Sequence, residues 1–393
     1  MILDRAEQQF RLLTIHNMIW ALAMSLVGGF VGAHLLQMGF SVAQTLCIYA
    51  LLLAARCGVR LAVLPIVRRI GVQSALLLGA IVTSLQFLPL IYVNHPVGLT
   101  IWVALISLGE CIYWPIYHAA NATCGGNGRR GRQIALRQIG NTAISLFGPV
   151  GGGLLLTHCG PSPAFSLATA LCLVSIVPLR RLRRIDLGPV PTVRQSVYGI
   201  DHSALAAFAA DGWISAGCGI AWPLILFTAV GASYEAMGSA SSAASLAGSL
   251  AGFGCGVAID RGHRGALTRW VTAGLLLGIA LRATASWAPW AAIGANILGA
   301  VVGGLYCPML MSTIYDKAKQ SGSAYRFHLA IEAGWDMGAL LGCFAAALVV
   351  WSGAPVTLAV LPSALGLAVI NRCLRPRGQG ITTTAGMALA GAG

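Results

Sequence analysis

Seven charged side chains lie inside otherwise apolar runs of the sequence: Arg56, Arg60, Glu110, Asp211, Arg282, Glu332 and Asp336. A charge at the centre of a membrane helix costs about 2.5 to 3.5 kcal/mol on insertion scales, so each one calls for a partner or a task. Arg56 and Arg60 are one helical turn apart, about 6 Å along the axis, and share a face. Glu110 falls at a similar depth in its own run. It is therefore expected to pair with Arg56 or Arg60 and to leave the other guanidinium free for an anionic group or a backbone carbonyl. A polar cluster that only holds helices together is the alternative. Glu332 and Asp336 repeat the one-turn spacing. Two carboxylates that close cannot both ionise cheaply in a low dielectric, which is the property a proton-coupling site needs. Glu332 is shallow enough to pair with Arg326 instead, whereas Asp336 lies about 15 Å inside its run. Arg282 is near the end of its run, where a long side chain can reach the surface.

The runs that carry these residues are membrane helices. Hydrophobic residues make up 57% of the 393 and charged residues 9%, with a mean hydropathy of +0.78, which excludes an ordinary soluble globular chain. Hydropathy predicts an all-α membrane protein of about twelve spans, near residues 13–35, 41–67, 72–93, 97–119, 134–157, 163–179, 203–230, 235–259, 266–287, 290–314, 327–351 and 355–371. The basic residues fall on alternate connections, among them Arg68 and Arg69, Arg129 to Arg132, Arg180 to Arg194, and Lys317 and Lys319, and the opposite connections carry none. By the positive-inside rule that side is the cytoplasm, so both termini are expected there. The net charge of +14 thus reports topology, and no nucleic-acid partner is expected. The cysteines, without CxxC spacing, read as small buried hydrophobes. No phosphate-binding loop, metal-ligand pattern or hydrolase constellation is present, so no cofactor, no metal and no enzymatic activity are expected.

The two ends of the chain also repeat each other. Ile112-Tyr113-Trp114-Pro115 matches Leu305-Tyr306-Cys307-Pro308 at an offset of 193, and Gly140 and Gly148 match Gly334 and Gly342 at 194. Such an offset is the mark of two parallel six-helix halves. The expected boundaries are 1–184 for the first half, 185–202 for a cytoplasmic linker, 203–372 for the second half and 373–393 for a disordered tail rich in Gly, Ala and Thr.

Between two of the runs lies Gly256-Val-Ala-Ile-Asp260-Arg261-Gly262-His263-Arg264. This loop resembles the G-x-x-x-D-R-x-G-R-R signature between the second and third helices of each half of the major facilitator superfamily, in a compressed form. Gly148-Pro149-Val150-Gly151-Gly152-Gly153 resembles the core of the fifth-helix motif of that superfamily's proton antiporters, although close helix packing explains the same residues. The resemblance implies a bacterial-type transporter with two pseudo-symmetric halves. It also implies that Asp260, with Arg261 and Arg264, latches to the start of the fifth helix. Because the first, fourth, seventh and tenth helices line the cavity in that superfamily, Asn17, Trp20, Tyr113, Tyr117, Trp213 and Tyr306 become candidate substrate contacts beside Arg56 and Arg60. Asp336, Glu332, Asp211 and Glu110 become the candidate proton-coupling residues. The expected function is secondary transport of a small organic solute across the cytoplasmic membrane, proton-coupled, by a monomer, with export favoured. The alternatives are a proton-coupled importer of a small organic anion and a non-transporting receptor or scaffold on the same fold.

Overall fold

The structure is a computed structural model that describes residues 5–124, 130–182, 185–260, 264–285 and 288–374. Every long element among these residues is helical. In chain order they are α1 (Arg5–Val27), α2 (Val42–Ala62), α3 (Val72–Leu85), α4 (Pro96–Cys124), α5 (Arg130–His158), α6 (Pro161–Arg180), α7 (His202–Ser215), α8 (Tyr234–Asp260), α9 (Arg264–Ala283), α10 (Pro289–Gln320), α11 (Ala324–Trp351) and α12 (Ala364–Leu374). Short helical turns extend several of them. Val31–Gln37 prolongs α1, a π-turn (Ala216–Ala221) and Trp222–Ala229 prolong α7, and Val356–Ser363 leads into α12. Nine of the described stretches are long and apolar enough to cross a hydrocarbon core; α5, α8 and α9 complete the twelve.

Local chemistry sets the ends of these helices. Ser41 closes a capping box with Gln44 at the start of α2. Asp201 caps α7 by accepting from the backbone N–H groups of Ser203 and Ala204. Its second oxygen accepts from Lys317 of α10 at 2.7 Å. Burial works against the Asp201 charge, but the Lys317 bond and the two cap bonds outweigh it and hold the carboxyl below its ordinary value of 3.8. A carboxyl lowered on folding adds stability above its unfolded value and loses it as the pH falls through the folded one. Asp201→Ala is therefore expected to lower the melting temperature at neutral pH, by the equivalent of about 1 kcal/mol for a lost cap, and to make the acid limb of the stability profile shallower.

Among the described residues the two most extensive contacts between the first six helices and the last six are α2 on α11 and α5 on α8, and α4 also packs on α11. The halves meet at both faces. At the face carrying Arg68, Arg69, Lys317 and Lys319, here the basic face, Tyr325 of α11 is fully buried among Leu13, Val63, Ala75 and Leu179. At the opposite face Gln37 donates to the Ala232 carbonyl at 3.0 Å, and His158 of α5 faces Glu235 of α8 at 3.0 Å. Large apolar side chains such as Leu51, Phe147, Leu250 and Trp290 remain exposed on the perimeter, as expected of helices solvated by lipid.

Candidate functional site

The α2–α11 contact is where the intramembrane charges meet. Ser107 and Cys111 of α4 donate to the Leu52 and Arg56 carbonyls of α2 at 3.2 and 3.3 Å, which sets α4 against α2. Glu110, between those two anchors, is thereby delivered to the Arg56 guanidinium and forms an ion pair with it. Asp336 approaches from α11. Its Oδ1 lies 2.8 Å from Arg56 Nη2, and its Oδ2 accepts from Arg60 Nε at 3.0 Å and also from Arg60 Nη2. Asp336 is 0% exposed and Arg60 1%. The expected pairing of Glu110 is thus with Arg56. The expected free guanidinium does not exist, because Asp336 from the other half occupies both arginines. What is left over is two single donors, Arg56 Nε and Arg60 Nη1, buried without a hydrogen-bond partner among the described residues.

Glu332, one turn nearer the basic face, reaches neither arginine. Its Oε1 is 3.7 Å from His118 Nε2 of α4, while His118 Nδ1 is 3.1 Å from the Tyr315 hydroxyl of α10. Arg326, the sequence-based partner for Glu332, is turned to the Tyr198 and Gly199 carbonyls instead. His328 stacks on His118 with ring centroids 5.6 Å apart, fully buried, with neither nitrogen hydrogen-bonded among the described residues. Among the described residues the ion pairs of this interface thus set two guanidiniums against two carboxylates, while the third carboxylate, Glu332, is paired with an imidazole.

Trp335 links this cluster to a second one. Its ring lies 5.6 Å from the Arg56 guanidinium carbon, and its indole N–H donates to Asp211 Oδ2 at 3.0 Å. The other Asp211 oxygen accepts from the Tyr306 hydroxyl at 2.8 Å. Close approach of α7 and α11 makes this possible: a Cβ on Gly212 would fall inside the Trp335 carbonyl, and one on Gly338 inside that of Ala209.

The remaining sequence candidates divide. On α1 and α4, Tyr117 donates to Asn17 at 2.9 Å, His16 joins Tyr113 at 2.6 Å, and Trp20 stacks on Tyr113 and meets Trp114 edge-on. Trp213 is not brought to this group; its indole N–H donates to the Pro362 carbonyl at 2.6 Å. Arg282 does not reach the surface but is buried with its guanidinium 5.2 Å from the Trp222 ring. Gly152 and Gly153 let α5 approach the carbonyls of Leu26 and Tyr234, Gly148 sits against Ser25, and the Pro149 carbonyl touches Gly238 of α8. This stretch is a packing surface. Arg261 and the side chains of Asp260 and Arg264 lie outside the described residues, as do those of Arg132 and Arg137, so the latch does too.

His118, His328 and Tyr315 are not among the candidates derived from the sequence. A signal for the histidines was available in the four-residue spacing: Glu110, Trp114 and His118 form one stripe on α4, and His328, Glu332 and Asp336 another on α11.

Comparison with known proteins follows the same lines. A variant of the E. coli fucose:proton symporter FucP superposes with a TM-score of 0.62 at 14% identity, covering 96% of this chain and 100% of that one. FucP in an outward conformation gives 0.62 at 13% identity with the same coverage. A D-xylose-proton symporter gives 0.67 at 12% identity, covering 93% of this chain and 96% of that one. No curated protein sequence matches the chain. Residues 13–330 match the family model described as Major Facilitator Superfamily, and with its helices arranged as in these symporters the chain belongs to that superfamily.

Proposed function

We propose that this transporter couples solute movement to protons by alternating access, with Glu332 and His118 as the proton-binding pair. The observation that carries the reading is the charge count between the halves. Glu110 and Asp336 neutralise Arg56 and Arg60, so a proton on Glu332 or His118 is what balances the third carboxylate. His118 belongs to the first half and Glu332 to the second, so occupancy by that proton bears directly on whether the halves hold together. Asp336, held between two guanidiniums, acts as their counter-charge while the halves are closed. Asp211, with both oxygens already accepting, serves to orient Trp335 and Tyr306.

Proton symport is the favoured mode. Two proteins of this fold are described as proton symporters, while the Gly148 to Gly153 stretch behind the export reading is used in packing. The helices are read as two halves, 1–184 and 203–372, joined by 185–202, in a bacterial cytoplasmic membrane with the basic face inside. Purified protein in weakly buffered detergent tests the proton assignment without knowledge of the solute. Between about pH 5 and 9, Glu332→Gln is expected to release one proton fewer than wild type, and Asp211→Asn the same number. Identical release by wild type and Glu332→Gln would remove Glu332 from the coupling role.

A further inference from the structure

We propose that Arg56 and Arg60 are the seat for the carboxylate of a small monovalent organic anion, for which Asp336 stands in when the halves are closed around the site. The inference rests on the alternating-access reading above and adds the chemical class of the solute. Arg56 and Arg60 lie on α2, in the first half, and Asp336 on α11, in the second. For the site to open, α2 and α11 must part on one side. Asp336 then leaves with α11. Arg56 and Arg60 retain only Glu110, which comes from α4 of their own half. Two cations facing one carboxylate carry a net charge of one, and an unpaired charge in a largely desolvated site is strongly unfavourable. A single carboxylate restores the balance that Asp336 provided.

The donor geometry fits the same ligand. Two guanidiniums one turn apart present planar forks that match carboxylate oxygens. Among the described residues Arg56 Nε and Arg60 Nη1 have no acceptor in the closed arrangement, which leaves the pair donor capacity for a ligand.

The second half shows the complementary imbalance. After separation, Asp336 and Glu332 remain together on α11 without either arginine. Two carboxylates in that position favour uptake of a proton, so anion on one half and proton on the other travel as a pair. The Asp211 group does not compete for this role. Asp211, Tyr306 and Trp335 all belong to the second half, and parting of α2 from α11 leaves their hydrogen bonds in place.

The test is binding to full-length protein in detergent at constant ionic strength, read by melting temperature and tryptophan fluorescence. The probes are benzoate and lactate as monocarboxylates, with benzamide as the neutral and benzylamine as the cationic analogue. Monocarboxylates are expected to bind and the analogues not. Affinity is expected to rise up to about tenfold per unit fall in pH, the signature of one co-bound proton. Arg60→Lys keeps the charge and loses the fork, and is expected to weaken benzoate about tenfold or more. The seat is overturned if neither monocarboxylate binds across about pH 5 to 8, if benzamide binds as well as benzoate, or if Arg60→Lys binds benzoate like wild type. Failure of the proton reading looks different. Benzoate binding with no pH dependence keeps the seat and removes Glu332 as proton carrier. Release of one proton fewer by Glu332→Gln than by wild type, with no monocarboxylate binding, does the reverse.

Discussion

Asp336→Ala is expected to destabilise the protein by about 3 to 5 kcal/mol, because it strands two buried guanidiniums with one carboxylate between them. Both arginines lose an ion pair at once, and Arg60 loses the only one it has among the described residues. Thermal or denaturant unfolding in detergent would show the loss. The double variant Asp336→Ala, Arg60→Leu removes one charge of each sign and leaves Arg56 with Glu110. It is expected to recover most of the stability, since exchanging a buried ion pair for apolar groups is often neutral or stabilising. A double variant as unstable as the sum of the two single ones would mean that no energetic coupling joins Arg60 to Asp336. Such a result would also weaken the view of Asp336 as a stand-in for a bound anion.

Gly338→Ala should produce the second large effect, and its sign separates packing from propensity. In a helix interior, glycine to alanine ordinarily gains about 1 kcal/mol. At Gly338 the added methyl would meet the backbone carbonyl of Ala209, and a carbonyl within a helix cannot swing aside as a flexible side chain can. The α7–α11 pair would have to separate, with an expected net loss of about 1 to 3 kcal/mol. Separation also pulls Asp211 away from Trp335. Gly303→Ala is the control: nothing stands within 4 Å of a Cβ there, so the ordinary gain is expected. Unfolding of the two variants side by side is the measurement. Equal behaviour would show that the close approach of α7 to α11 carries no energy.

Charged residues inside apolar runs were legible from the sequence because the bilayer makes each of them costly, whatever the tertiary arrangement. Arg56, Arg60, Glu110 and Asp336 do meet, and the i, i+4 spacings that put Arg56 with Arg60 and Glu332 with Asp336 on common faces follow from helix geometry alone. Pairings between helices were not legible. Sequence reasoning placed Asp336 and Glu332 together as a carboxylate pair and left one arginine free, yet Asp336 closes on both arginines and Glu332 turns to His118. Two helices whose residues are 276 apart in the chain bring Arg60 to Asp336, and no local periodicity encodes that rotation.

Reading along the chain was enough to establish that it lives in a membrane, about how often it crosses, which face is basic and that its two ends repeat one another. Each of these follows from one-dimensional rules: apolar run length, charge on alternate connections and offset between matching residues. Tertiary structure alone decided which charge neutralises which, that Trp213 and Arg282 are turned away from the central groups, and that the Gly148 to Gly153 stretch is spent on helix contact. Rotation and depth of each helix are set by side chains packing against distant helices. That is why the partner of a buried charge is known only once the halves are in place.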